Sequence, residues 1–265
     1  MLPGTGSEPQ PLRPGDATSY PEIVASVSVV IPVYNDAHML QICLDALARQ
    51  TRLADEIVVV DNACTDASAH VARSAGARVV PEPTRGIPAA TSAGFDSAHG
   101  DILARLDADS IPAPDWLERM EALLDAHPEA SAVTGTAEFY GGNRFQRWFG
   151  GSCYLPAYFG AMGMLLGHPP LFGSNYAIRA TAWREVRESA HLDRSDVHDD
   201  LDLSFQFRPG MTVHFDPALR VLVSARPFIL WSGFIRRVRL GVITVALNVL
   251  RESPVARRRR RSISA

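Results

Sequence analysis

The chain has 265 residues, 46% of them hydrophobic and 21% charged, the make-up of an ordinary globular domain large enough to bury one sizeable core. All 26 basic residues are Arg, which excludes phosphate-binding loops ending in Gly-Lys-Ser/Thr, Schiff-base enzymes and lysine-dependent kinases. The formal charge of −3 is unevenly spread: residues 236–265 carry nine Arg against Glu252, so the body is acidic and the tail basic.

Residues 1–25 are rich in Pro, Gly and Ser, and such a composition buries too little apolar surface to offset its ordering entropy, so a disordered leader is expected. Val27 to Val33 is a near-continuous β-branched run, the pattern of a strand buried on both faces. Met39, Leu40, Cys43, Leu44 and Leu47 then recur at helical spacing, with Asn35 or Asp36 able to cap. The alternation continues with strand 56–60, helix 65–75, strand 77–80, helix 88–99, strand 101–106 and helix 114–126. Strand and helix alternating at this spacing predict a parallel sheet with right-handed crossovers. Ligands of such sheets bind beyond the carboxyl ends of the strands, and those ends carry Tyr34-Asn35-Asp36, Asp61-Asn62 and Asp107-Ala108-Asp109.

From about Val133 the periodicity fails, and residues 139–176 are crowded with Gly, Pro and aromatics, as expected of a functional loop region over the sheet. Helical spacing resumes at 181–187 and 201–207, followed by an expected strand pair at 212–215 and 220–224.

Asp107 and Asp109 alternate on an extended segment, so both can face the mouth of the sheet with Ala108 turned away. Hard carboxylate oxygens suit Mg²⁺ or Mn²⁺, which commonly take one or two protein carboxylates and complete their shell with water and phosphate.

Several stretches, in order, carry a resemblance: Val29-Val30-Ile31-Pro32-Val33-Tyr34-Asn35, Glu56 to Asp66, Arg85-Gly86, Asp101 to Asp109, Gly173-Ser174-Asn175 and Asp199-Asp200-Leu201-Asp202-Leu203. The chain resembles the family 2 glycosyltransferases, inverting enzymes of the GT-A fold, over roughly residues 26–226. The resemblance implies a single α/β domain at 26–228, a Rossmann-like, mostly parallel sheet flanked by helices; the residues after it read as a C-terminal amphipathic and basic segment at 229–265. It implies a nucleotide-sugar donor, UDP-, GDP- or dTDP-linked, and a hydroxyl acceptor that is a sugar, a lipid-linked molecule or a small molecule.

By the same resemblance, Pro32 and Tyr34 line the base and ribose pocket with Asn35 beside them, and Asp61 accepts a hydrogen bond from the base. Arg85 sits near the diphosphate or donor sugar. Asp107 approaches ribose or metal, and Asp109 is the main protein ligand of Mn²⁺ or Mg²⁺. Asp199-Asp200 matches the family's acidic catalytic pair, with Asp200 the expected base and Asp202 a helix-cap residue. Arg226 stands where the family often has a basic residue and is a candidate diphosphate contact. The pair is Asp-Asp where Glu-Asp is usual, which leaves Asp199 open as the base. No Gln-x-x-Arg-Trp follows it, so a non-processive enzyme is expected. The alternative reading is a catalytically silent nucleotide-sugar-binding protein docked on a membrane.

The aromatics between Phe139 and Phe159 are read as core or as a cover for a sugar or lipid acceptor. His168, His191, His198 and His214 show no metal-ligand spacing. The nearly uncharged run from Leu240 to Leu250 is too short to span a bilayer, for which about 20 residues are needed. With Arg257 to Arg261 it reads as an interfacial helix and polybasic tail at an anionic membrane surface, or as a core-packing helix with a solvated tail. Nucleic acid is not an expected partner of so acidic a body. Cys43, Cys64 and Cys153 are scattered, and no secretory signal opens the sequence. The expected location is therefore the cytoplasm, at the inner face of the plasma membrane where the tail engages it.

Overall fold

The computed structural model describes residues 25–229 and 231–264, so the expected leader lies outside the described residues apart from Ala25. The first half alternates as anticipated: β1 (Val27–Val33), α1 (Ala37–Leu47), β2 (Glu56–Asp61), α2 (Ser68–Ser74), β3 (Arg78–Pro81), α3 (Ile87–Ser97) and β4 (Ile102–Arg105). Then come β5 (Ser110–Pro112), α4 (Trp116–Ala126), β6 (Ala130–Tyr140), α5 (Arg144–Phe149), α6 (Leu155–Leu166), β7 (Tyr176–Arg179) and α7 (Ala180–Val186). The described chain ends with α8 (Asp199–Gln206), β8 (Thr212–Ser224), α9 (Arg226–Ile229), α10 (Trp231–Arg251) and α11 (Pro254–Ser264).

All eight strands join one sheet in the order β3-β2-β1-β4-β7-β6-β8-β5. The pairings β1–β2, β1–β4, β2–β3 and β6–β8 are parallel, whereas β7 runs antiparallel to β4 and β6, and β5 antiparallel to β8. Side chains of β1 alternate across the sheet: Val27, Val29, Ile31 and Val33 enter the core with α1 and α4, and Val30 enters the core with α3 and α7. Burial on both faces is the physical reason β1 reads as an unbroken apolar run. Because β1, β2, β3 and β4 are parallel, their carboxyl ends deliver loops 34–36, 62–66, 82–86 and 106–109 to one edge.

Residues 139–176, expected as loop, are largely regular: the end of β6, helix α5, a π-helical turn at Gly150–Tyr154 and helix α6. The β6 strand was obscured by its small residues. A Cβ on Gly135 would lie 2.1 Å from the Leu219 carbonyl oxygen and 2.6 Å from Asn175 Nδ2, so β8 approaches too closely for a side chain there. The expected strand pair at 212–215 and 220–224 is one strand, β8, whose register against β6 slips between Gly135 and Thr136, the behaviour of a bulged strand. Pro217 lies within that interruption.

The C-terminal segment packs on the body. Thr244 and Asn248 of α10 are buried, with Thr244 Oγ1 accepting from the His198 backbone N–H at 2.8 Å and Asn248 Nδ2 donating to Asp202 at 2.8 Å. On α11, Arg261 donates to the carbonyls of Phe207 and Met211, and Arg257 stacks over the Phe205 ring at 5.2 Å. Arg258 donates to the Met164 carbonyl as well, so the Arg run is not wholly solvated: three of its guanidinium groups are turned to the protein.

Candidate active site

At the carboxyl end of β1 the chain turns through Asn35, whose φ of 49° is a left-handed conformation that Asn tolerates better than most residues. Its side-chain oxygen accepts from the Thr65 N–H at 2.7 Å. Asp61 Oδ1 accepts from the Cys64 N–H at 2.8 Å, closing the turn after β2. Buried Asn62 ties in the third loop, donating to the Glu82 and Thr84 carbonyls while accepting from the Gly86 N–H at 2.9 Å. Arg85 is thereby carried over the Tyr34 ring, 4.0 Å from its centroid. Pro32 is half-buried within β1, opposite Val60. Neither Asn35 nor Asp36 caps α1 with its side chain; Asp66 does so from the neighbouring loop, accepting from the Ala37 N–H at 3.0 Å. The Asp36 carboxylate instead pairs with Arg226.

Arg226 is the hinge between this edge and the carboxylates after β4, since the same guanidinium donates to Asp109 Oδ2 at 2.8 Å. Asp107 is held by Arg105 Nη1 at 2.5 Å and by the Ser174 hydroxyl at 2.5 Å. Arg105, only 1% exposed, also donates to the Gly173 carbonyl at 2.6 Å and to Asp199 Oδ2 at 3.3 Å. It thus joins the β4 carboxylate to the acidic pair at the start of α8. Asp200 accepts from the Gly173 N–H and from His198 Nδ1, both at 2.5 Å. Asp202 is not a cap: it is buried and takes His191 Nδ1 at 2.7 Å and Asn248, fixing α8 to its neighbours.

Asp107, Asp199, Asp200, Arg105 and Arg226 line one cavity of about 360 Å³, together with Gly173, Ser174, His198, Tyr154 and Tyr158. Asp109 reaches it through Arg226, whereas Tyr34, Asn35, Asp61 and Arg85 form the adjoining strand-end surface rather than its wall. Of the aromatics from 139 to 159, Tyr154 and Tyr158 face the cavity, Tyr140 donates to the Asp109 carbonyl at 2.7 Å, and Phe145 and Trp148 are exposed.

Burial raises the carboxyls of this cluster, and their neighbours decide the net direction. Asp107 ends below its ordinary value because Arg105 and Ser174 outweigh burial. Asp109 ends above it, raised by burial and by the Asp107 charge in spite of Arg226. Asp199 is also raised, by burial with the Asp200 charge adding, against the opposing pull of Arg105. Asp200 is lowered despite burial, chiefly by His198, and His198 is raised in return.

Arg105 and His198 were missed in the sequence. A lone Arg inside the apolar run Ile102 to Leu106 was a usable signal, because such a cation needs carboxylates beside it. His198 gave no such signal, since its partner Asp200 and its backbone acceptor Thr244 lie in a first turn and in a distant helix. The group His198, Asp199 and Asp200 brings three ligand atoms within 4.8 Å of one another.

A parallel half-sheet flanked by helices, with acidic residues at its strand ends, is of the doubly wound α/β class, whose ligand crevice lies at those ends. The model of glycosyl transferase family 2 matches residues 28–181, more than half of the chain, and the protein belongs to that family. It is 36% identical over 126 residues to the glycosyltransferase AglE of Haloferax volcanii, covering 44% of this chain and 38% of that protein. It is 34% identical over 142 residues to an undecaprenyl-phosphate 4-deoxy-4-formamido-L-arabinose transferase of Pseudomonas fluorescens, covering 48% and 40%. The matched region thus spans well under half the length of these curated relatives. Among solved structures, a mannosyltransferase of Pyrobaculum calidifontis in complex with GDP-Man and Mn²⁺ shares the fold, with a TM-score of 0.59 at 22% identity over 95% of this chain and 77% of that one. Glucosyl-3-phosphoglycerate synthase of Mycobacterium tuberculosis with Mg²⁺ and UDP does so with a TM-score of 0.54 at 21% identity, over 76% and 70%.

Proposed function

We propose that the protein transfers a sugar from a nucleotide-diphosphate donor to a hydroxyl acceptor with inversion at the anomeric carbon, one sugar at a time and with help from Mn²⁺ or Mg²⁺. The observation that carries this reading is the convergence of Asp107, Asp199 and Asp200, from distant stretches, on one cavity beside Arg105 and Arg226. The donor's base and ribose are assigned to the Pro32, Tyr34, Asn35 and Asp61 edge, and its diphosphate to the side of Arg85 and Arg226. The mannosyltransferase and the synthase named above, which share the fold, were solved with GDP-Man and with UDP, which supports a nucleotide-sugar donor.

The residues fit a divalent cation. Asp109 is raised partly by the like charge of Asp107, a repulsion that a cation between hard oxygens relieves. Asp109, with Asp107, would hold it, and when bound it would stabilise negative charge on the departing nucleoside diphosphate. The chain's own part is to orient donor and acceptor and to remove the acceptor hydroxyl's proton, a contribution of about 10²- to 10⁴-fold. Asp200 is assigned as that base by its match to the family's acidic pair. A second reading gives the role to Asp199, because its raised carboxyl binds a proton more strongly than the lowered Asp200.

The segment 229–265 is assigned to contact with an anionic membrane surface. The apolar residues that α10 turns outward and the exposed guanidinium groups of the tail support this. Among the described residues no helix is long and apolar enough to cross a membrane.

Thermal stabilisation by a panel of nucleotide-sugars, with and without Mn²⁺, tests the reading when followed by detection of released nucleoside diphosphate. Stabilisation by one donor that requires Mn²⁺, with release upon adding acceptor, is expected. If no donor moves the melting midpoint and none is consumed, the assignment is lost.

A further inference from the structure

A second polar pocket, about 220 Å³, closes the far end of α8. Its walls are the last turn of α8 and the loop behind it, the C-terminal turn of α10 and the inner side of α11. One water needs about 10–15 Å³, so the space admits a small polyatomic ligand. Asp199 and Asp200 stand in the first turn of the same α8, yet the two cavities share no lining residue. Helix α10 has inverted polarity, with Thr244 and Asn248 buried and Val242 and Leu250 exposed. The pocket meets its inward, polar side, through Asn248 and, just beyond the helix, Glu252.

Arg208, Arg251, Arg257, Arg260 and Arg261 line this pocket, with Glu252 as its one acidic side chain. Glu252 pairs with Arg257 at 3.2 Å and with Arg260 at 3.4 Å, and Arg208 pairs with Glu185 at 3.3 Å. Arg261 turns both terminal nitrogens to neutral groups, the Phe207 and Met211 carbonyls, which leaves its charge uncompensated. Arg257 is only 7% exposed, yet its Nε and that of Arg261 are buried without an acceptor among the described residues. Buried donors of a charged group are costly to leave unpaired. Burial and the Arg257 charge pull Arg261 down to about 10, and burial lowers Arg257 as well. An anion among these groups reverses both effects.

We propose that this cage binds a small soluble dianion of the phosphate class, held by Arg257 and Arg261 from within and by Arg251 at the exposed rim. Guanidinium forks match phosphate oxygens in geometry and charge. A lipid head group offers the same chemistry, but the burial of Arg257 favours an anion small enough to enter the pocket over one fixed in a bilayer plane. The bound anion would tie α10 and α11 to α8, the element that carries the acidic pair. The inference does not depend on the sugar-transfer reading.

Calorimetric titration of the full chain with orthophosphate tests it, at mildly alkaline pH and at an ionic strength held constant with chloride. Saturable binding is expected. It should persist in Arg226→Ala, which lacks the guanidinium assigned to the donor's diphosphate, and weaken about tenfold or more in Arg257→Gln and in Arg251→Glu. Arg251 is exposed, so its variant keeps the test alive if Arg257→Gln proves unfolded by its melting midpoint. Absence of saturable phosphate binding overturns the proposal, as does binding that is lost in Arg226→Ala and kept in Arg251→Glu. Vesicles containing phosphatidate separate the two sources of phosphate. Vesicle binding that requires Arg251, with no orthophosphate bound, assigns the cage to a lipid head group and overturns the soluble ligand.

Discussion

Arg226 and Asp109 lie 117 residues apart in sequence and 2.8 Å apart in space, and the same guanidinium also pairs with Asp36. One side chain after β8 therefore clamps the loop after β1 to the carboxylates after β4. A cation held by Asp109, as proposed, would compete with Arg226 for the carboxylate and so release the guanidinium toward phosphate oxygens. The bridge is half exposed and so contributes about 1 kcal/mol at most. Arg226→Ala should thus bind Mn²⁺ up to about fivefold more tightly in the absence of nucleotide, while turnover falls. Titration of free Mn²⁺ by electron paramagnetic resonance checks this, and weaker Mn²⁺ binding in the variant would count against Asp109 as ligand.

Arg105 is the only cation joining Asp107 to Asp199 among the ion pairs of the described residues. Arg105→Leu leaves both carboxylates without it in a largely buried site. Breaking such a pair costs about 3–5 kcal/mol, to be seen as a lower urea midpoint at neutral pH. Mild acid protonates the orphaned carboxylates, so the deficit should shrink as pH falls. A deficit that is flat with pH would show that lost packing, not lost charge, is the cause.

The parallel half of the fold was legible because β1, β2 and β4 are largely buried on both faces and, with the edge strand β3, alternate with helices of ordinary spacing, which is what periodicity reports. β5 and β7, of three and four residues, run antiparallel to their neighbours and lie outside the strand–helix alternation that marks the equally short β3 and β4. β6 is disguised by Ala130, Ala132, Gly135 and Ala137, of which Gly135 is small because β8 and Asn175 press against it. The site divides the same way. Asp61, Asp107, Asp109 and the 199–200 pair stand at strand or helix ends and could be named from the chain. Arg105 and His198 acquire their meaning only from partners that the tertiary fold supplies. The inverted polarity of α10 was likewise hidden, since its mostly apolar run does not say which side faces out.

The His198–Asp200 pair should make stability depend on pH in a defined direction. Asp200 is lowered from 3.8 and so stabilises the fold above that value, with the contribution lost as pH drops through its folded pKa. His198 is raised from 6.5, so its contribution is complete below that value and lost as pH climbs through its folded pKa. Both are present between pH 3.8 and 6.5. The melting midpoint of His198→Gln should fall furthest below wild type in that window and approach it in alkali. A gap that widens with rising pH would contradict the pairing.

Gly173 permits the close approach of the acidic pair. A Cβ at this position would sit 2.9 Å from Asp200 Oδ2 and 3.4 Å from its Cγ, while the Gly173 N–H donates to that same oxygen. Gly173→Ala must therefore push the Asp200 carboxylate off its donor. Its backbone is not in the positive-φ region, so the substitution strains the contact rather than the chain, and the fold should survive. Misplacing a reacting group by about 1 Å can cost 10²-fold. The expected outcome is a kcat lower by ten- to a hundredfold, with little change in the donor KM, because the edge at Tyr34 and Asp61 to which the donor is assigned is untouched. Steady-state kinetics separates the two constants, and a KM effect without a kcat effect would remove Asp200 from the chemical step and leave the base role to Asp199.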